Sequence, residues 1–348
     1  MQFATYHVFQ CPPWQRPEQV MQQELERAVL SEQLGYDGIW VAEQHFAPYC
    51  LTGDALLLAG VLASHTQHVH VGTAVVNLTF THPLRFAERV ALLDHLTSGR
   101  VEVGVGRGYQ FPQYGVFGVP IDETRAIFDE ALDIVFHAWE AEDFTYEGQY
   151  FQLPRVQVWP VPLRRPDEIL LHAVNSAESV DSSIRRGLPA LMARPITPFV
   201  DQVAELKRYR GALGAAGKDP EPFLDRATVL KYAFIAPTKH EARELPRRAF
   251  EWDLDILQEL TTPTTTEMPR GYEFYEERGG KLPPFTYDEW IEDRLLFDDP
   301  DGCAEKIAAL QDAGVRRLVL WMGVGGVEHD LVVQSMRLFA EQVMPQFR

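Results

Sequence analysis

The chain has 348 residues, 46% hydrophobic and 24% charged, the balance of a globular protein able to bury a large core. A formal net charge of −18 excludes nucleic acid and anionic membrane surfaces as partners, so any bound anion must be held by local arginines and backbone amides. The three scattered cysteines (Cys11, Cys50, Cys303) give neither a disulfide framework nor zinc spacing. With no signal-peptide pattern and no bilayer-length apolar run, the expectation is a cytoplasmic protein.

Residues 2–9 are apolar and β-rich and read as a first strand, ended by Cys11-Pro12-Pro13. Pro17 and Glu18 open a helix whose apolar positions Val20, Leu25, Ala28, Val29 and Leu34 recur at helical spacing as far as Gly35. A short buried strand at 37–42 carries Glu43, Gln44, His45 and Phe46 at its end. A helix at 55–64, a strand at 69–77 and a helix at 83–96 follow. The fourth strand alternates Val101, Val103 and Val105 with Glu102, Gly104 and Gly106, and ends in Arg107-Gly108. Next come an aromatic-rich loop (Tyr109, Phe111, Tyr114, Phe117), Asp122 as a helix N-cap, and a helix at 123–140. Residues 144–151 read as a hairpin turning at Glu147-Gly148, and the proline-rich stretch up to 167 as an extended insertion. Strands at 168–174, 188–193, 228–236 and 315–322 alternate with helices at 176–186, 198–211, 240–260, 300–313 and 330–345. The stretch 261–298 is irregular and rich in Thr, Pro, Gly, Tyr and Glu.

Eight strands alternating with helices predict an α/β chain folded as one (β/α)8 TIM barrel over 1–348, with insertions at 144–167 and 261–298. An open doubly wound sheet is disfavoured because no GxGxxG follows the first strand. Barrel chemistry collects where the C-terminal strand ends meet their loops. Here those ends carry Tyr6 and His7, Glu43 to His45, Ala74 and Val75, Gly106 and Arg107, His172 and Asn175, Arg194, and Trp321. The set has an acid–base imidazole, arginines and much aromatic surface, but no metal triad and no GxSxG elbow. An organic cofactor that carries the reactivity suits it better than hydrolysis does. Arg107-Gly108 reads either as half of a phosphate site or as a glycine-rich turn with a surface arginine. Ser176 and Ser179 read either as phosphate donors at a helix N-terminus or as ordinary caps. Glu43 is either a site carboxylate or an arginine's partner, and His45 either an acid–base group or a packed core residue. His65, His68 and His70 are read as surface residues with no metal.

Several blocks carry a resemblance. They include Gly38-Ile39-Trp40 through Glu43-Gln44-His45-Phe46, Val71-Gly72-Thr73-Ala74, Ser98-Gly99-Arg100, Arg107-Gly108, Val116-Phe117-Gly118, Arg186-Gly187-Leu188-Pro189, Gly271-Tyr272-Glu273-Phe274 and Val343-Met344-Pro345. Over nearly its whole length the chain resembles the bacterial luciferase-like flavin monooxygenases, the luciferase α subunit most of all. The resemblance implies FMN, bound as FMNH2, with its phosphate at Arg107, Ser176 and Ser179 and backbone help near Tyr109 and Asn175. It sets the flavin ring over Ala74-Val75, joined by a non-prolyl cis peptide, with Gly106 and Glu43 beside it. It implies oxygenation of a small organic substrate by O2 through a flavin C4a-peroxide, with Gln44 and His45 hydrogen-bonding the peroxide or substrate. Phe46, Arg194 and Trp321 fall on the substrate side, and 261–298 corresponds to a mobile lid. A separate NAD(P)H:flavin reductase as flavin donor and a homodimer through residues 55–64 and 83–96 complete the expectation. The departures are Gln44 in place of the first of two adjacent histidines, Gly106 for a cysteine, Asn175 for a glutamate and Arg194 for a tryptophan. Arg194 hints at an acidic or carbonyl-bearing substrate. The alternatives are a deazaflavin-dependent dehydrogenase or reductase and a non-catalytic flavin-binding protein.

Overall fold

A computed structural model describes residues 1–262 and 287–348. Eight parallel strands form its centre: β1 (Gln2–His7), β2 (Gly38–Val41), β3 (His70–Asn77), β4 (Val101–Gly106), β5 (Leu170–Ala173), β6 (Ala190–Met192), β7 (Thr228–Ile235) and β8 (Arg317–Trp321). Each pairs with the next, and β8 closes on β1 with Arg317 opposite Gln2 and Leu320 opposite Thr5. The result is the expected closed (β/α)8 barrel.

Period-two alternation decides what each strand buries where. On β4, Val101, Val103 and Val105 are fully buried in one apolar cluster with Phe86, Val90, Phe128 and Leu132 of the surrounding helices. Glu102, Gly104 and Gly106 turn inward. At the barrel floor Glu102 is paired with Arg317 and lies 3.4 Å from Arg226. Burial alone would raise the Glu102 carboxyl, but the two guanidiniums hold it down at about 2. Above this floor the Trp40 indole, 1% exposed, fills the interior over Gly72, where a Cβ would come within 2.4 Å of the ring. Only glycine permits that approach.

Several local readings are corrected by the structure. The aromatic loop contains a helix, Phe111–Phe117, closed by Gly118 in the left-handed region. Asp122 lies in a 3-10 turn, and the following helix Thr124–Glu140 starts at Glu123 without a side-chain cap. The hairpin turn falls later than Glu147-Gly148: Phe144–Glu147 pairs with Gln152–Val156, because the Glu130 carboxylate gathers the amides of Gln149, Tyr150 and Phe151. The helix expected at 240–260 is two, Lys239–Glu244 and Arg247–Thr261, broken at Pro246, whose ring nitrogen cannot donate. A short helix, Pro220–Arg226, precedes β7. Of the stretch 261–298, residues 263–286 lie outside the described residues, and with them most of the expected lid and Gly271 to Phe274. Residues 287–298 are regular instead: helix Tyr287–Asp293, then a three-residue strand Leu296–Asp298 beside the end of β7.

Candidate active site

The C-terminal strand ends frame an open cavity with about 1570 Å³ of space, its mouth included. Arg107 follows β4 directly. Its carbonyl accepts from Thr79 Oγ1 (2.7 Å) and Tyr114 Oη (3.2 Å), so the helix Phe111–Phe117 fixes the backbone that carries the guanidinium. Gly108 makes the tight exit at φ +89°, close beneath the Tyr114 hydroxyl. In the same wall Ser176 caps the helix Ala177–Arg186, its Oγ accepting from Ser179 N at 3.3 Å. Ser179 Oγ accepts from the amides of Asn175 and Ser176, both at 2.9 Å. Arg125, from the first turn of Thr124–Glu140, adds a second guanidinium 3.8 Å from Glu178. Two arginines, two hydroxyls and a helix N-terminus make a donor set for a phosphate dianion.

Beside this set the Ala74–Val75 peptide is cis, as the resemblance implied. Tyr6 donates its hydroxyl to the Ala74 carbonyl at 2.5 Å. A Cβ on Gly106 would lie 2.9 Å from Val75 Cγ2 and 3.5 Å from Ala173 Cβ. The slot next to the cis bond therefore stays open only because residue 106 has no side chain. Farther in, the wall is aromatic. Trp321 stacks on Tyr232 at 4.7 Å and meets Tyr6 edge-on at 5.5 Å, while Tyr109 donates to the Tyr49 hydroxyl at 3.3 Å. Burial pushes the Tyr109 phenol up to about 12, so it stays protonated. His172 is pushed down to about 4 by burial; its Nδ1 donates to the Ala173 carbonyl (2.9 Å), leaving Nε2 as the acceptor 3.2 Å from Ser182 Oγ. Gln44 accepts from Gln113 Nε2 (2.9 Å), which also donates to Gln110 Oε1 (2.7 Å), and this buried glutamine chain fixes the Gln44 amide at the cavity wall.

Of the expected site residues, Gln44, Ala74, Val75, Gly106, Arg107, Tyr109, Asn175, Ser176, Ser179, Arg194 and Trp321 line this one cavity. Glu43, His45 and Phe46 do not. The Glu43 carboxylate accepts from the amides of Asn77 (2.8 Å) and Ala55 (3.2 Å), tying β2 to β3 and to the next helix. The His45 ring packs against Phe46, Phe80 and Phe117, and Phe46 is 63% exposed beside it. Arg194 has no carboxylate within ion-pair distance among the described residues, so Glu43 is not its partner. Sequence reasoning missed Arg125, Asp129, Tyr49 and Tyr232, all in the lining. Arg125 had a usable signal: a cation in the first turn of the helix that begins beside the Arg107 loop. Among the described residues no group of three or more His, Cys, Asp or Glu is arranged to hold a metal ion, and no helix is long and apolar enough to cross a membrane.

A parallel barrel whose rim sets a phosphate-type donor cluster beside a ring-lined slot defines a cofactor-dependent TIM-barrel protein. The family of luciferase-like monooxygenases matches residues 1–317, and the chain belongs to it. A protein of Sinorhizobium fredii is 34% identical over 224 residues, 63% of each chain. The alkanal monooxygenase alpha chain of Photobacterium leiognathi is 24% identical over 345 residues, 97% of this chain and 96% of that one. Among solved structures, monooxygenase RslO1 of Streptomyces bottropensis superposes with a TM-score of 0.84 at 25% identity over all of both chains. The oxygenating constituent of the 3,6-diketocamphane monooxygenase of Pseudomonas putida, in complex with FMN, gives 0.79 at 20% over 100% of this chain and 99% of that one. An F420-dependent secondary alcohol dehydrogenase gives 0.75 at 18%, with the same coverage.

Proposed function

We propose that the chain is the oxygenase of a two-component system, taking FMNH2 from a separate NAD(P)H:flavin reductase and using O2 to oxygenate a small carbonyl-bearing or acidic compound. One observation carries the reading: Arg107, Arg125, Ser176 and Ser179 converge at one end of the cavity whose next surface is the slot that Gly106 leaves open. That arrangement fits a phosphate attached to a flat ring system, and the FMN-bound diketocamphane oxygenase supports the same cofactor. Bound reduced flavin would supply the electrons that activate O2. The chain's own residues do the rest. The arginines and the helix N-terminus neutralise the phosphate, the aromatic wall keeps water away, and the immobilised Gln44 amide holds a hydrogen bond at the reacting side. Arg194, without an acid partner among the described residues, attracts a carbonyl or carboxylate.

The chain is expected to act as a homodimer through the helices Ala55–Ser64 and Pro83–Leu96, which leave Leu57 67% and Leu96 73% exposed, with Val61 and Leu92 beside them. The function is tested by titrating FMNH2 anaerobically and then admitting labelled ¹⁸O₂ with a panel of aliphatic and aromatic carbonyl compounds. One labelled oxygen in the product is expected. Absence of FMNH2 binding, or product without label, overturns the proposal, and tighter binding of F420 than of FMN would favour the dehydrogenase alternative instead.

A further inference from the structure

Behind the cavity wall lies a buried acid that the flavin reading does not use. Asp253, on the helix Arg247–Thr261, is fully buried. Its Oδ2 accepts from the Tyr232 hydroxyl at 2.7 Å and its Oδ1 from Gln10 Nε2 at 2.5 Å. Gln10 is itself locked, because its Oε1 accepts from the Gly325 amide at 2.5 Å. The groups that face this carboxyl electrostatically are phenols: Tyr232 on β7, Tyr49 after β2 and Tyr109 after β4. No lysine, arginine or histidine compensates it among the described residues. Tyr232 lines the cavity, stacked on Trp321, and Leu257 of the same helix as Asp253 lines it too.

We propose that Tyr232 is the group that receives the substrate's carbonyl oxygen and that Asp253 is its positioning residue, setting whether the phenol donates or accepts toward the cavity. The chemistry is forced by proton counting. An ionised Asp253 can only accept, so it takes the Tyr232 proton and leaves phenol lone pairs for the cavity. A protonated Asp253 donates to Tyr232, and the phenol O–H is released to donate to a ligand carbonyl. Burial pushes the Asp253 carboxyl up to about 6, so the two states exchange between pH 5 and pH 8. This deepens the proposed function, since it names how a carbonyl substrate is read, but it does not depend on flavin.

The test uses the protein as purified, without added flavin, and acetophenone, an acceptor-only carbonyl probe, with dissociation constants measured by ligand-observed NMR from pH 5 to pH 8. Acetophenone should bind about fivefold more tightly at pH 5 than at pH 8, the worth of one hydrogen bond. Tyr232→Phe should hold the weak value at all pH. Asp253→Asn, whose amide donates to Tyr232 while its oxygen still accepts from Gln10, should hold the tight value at all pH. His172, the imidazole in the lining, stays neutral across this window. Affinity independent of pH in the unmodified protein, or a pH dependence surviving in Tyr232→Phe, overturns the inference. FMN affinity measured on the same samples separates the two readings, because its absence would sink the flavin assignment and leave the acetophenone result standing.

Discussion

Arg107 and Asp253 represent two kinds of chemistry around one cavity, a half-buried cation in its lining and a fully buried acid behind it. Charge-assisted hydrogen bonds contribute roughly 1.5–3 kcal/mol each, so Arg107→Ala and Arg125→Ala are each expected to weaken FMN binding about 10- to 100-fold with the fold intact. Fluorescence titration of FMN against both variants checks this. For Asp253 the sign follows from its raised carboxyl, at about 6 in the folded protein against 3.8 for the free group. Its contribution to stability is complete below about pH 4 and is lost as pH rises through about 6, on the order of 3 kcal/mol in all. Asp253→Asn removes that loss, so its melting temperature relative to the unmodified protein should rise from pH 5 to pH 8. A constant offset would mean that the carboxyl titrates normally. Arg107 was legible because Gly-Arg-Gly at a strand end is a local pattern. Asp253 was not, since its partner Gln10 lies 243 positions away.

At the scale of elements, the hairpin shows how one side chain moves a turn. Glu130 Oε1 accepts from Phe151 N at 2.7 Å, and the same carboxylate takes the amides of Gln149 and Tyr150, which spreads the turn over residues 148–151 in place of Glu147-Gly148. A Cβ at Gly148 would fall 1.9 Å from Glu130 Oε1, so that glycine serves close approach to the acid. Glu130→Ala should release the amides of residues 149–151, raising their hydrogen-exchange rates at least tenfold while the β4 amides stay protected. Protection unchanged at 149–151 would show that the turn holds itself. The helix Phe111–Phe117 follows the same logic. Its Phe117 ring stacks on Phe80 at 4.7 Å and its Tyr114 hydroxyl reaches the Arg107 carbonyl, contacts that outweigh the weak helical tendency of an aromatic, glycine-bearing segment.

For the whole molecule, the exposed face of Leu57, Val61, Leu92 and Leu96 is the place to test association. A charge there cannot be buried without a partner, so the double variant Leu57→Asp with Leu96→Asp should convert a dimer to a monomer by light scattering, with FMN affinity per chain retained. An unmodified protein already monomeric at micromolar concentration would exclude the dimer. From residues alone, the alternation of strands and helices specified a closed barrel, and strand ends specified which residues stood near its mouth, because hydrophobic period and turn chemistry are written in neighbouring positions. Tertiary structure alone decided which of those residues face the cavity. It turned Glu43 to the amides of Asn77 and Ala55, closed His45 among phenylalanines, and brought Tyr232, Asp253 and Gln10 into one chain of hydrogen bonds. Such contacts join strands and helices remote in sequence, and a partner chosen by packing leaves no periodic trace along the chain.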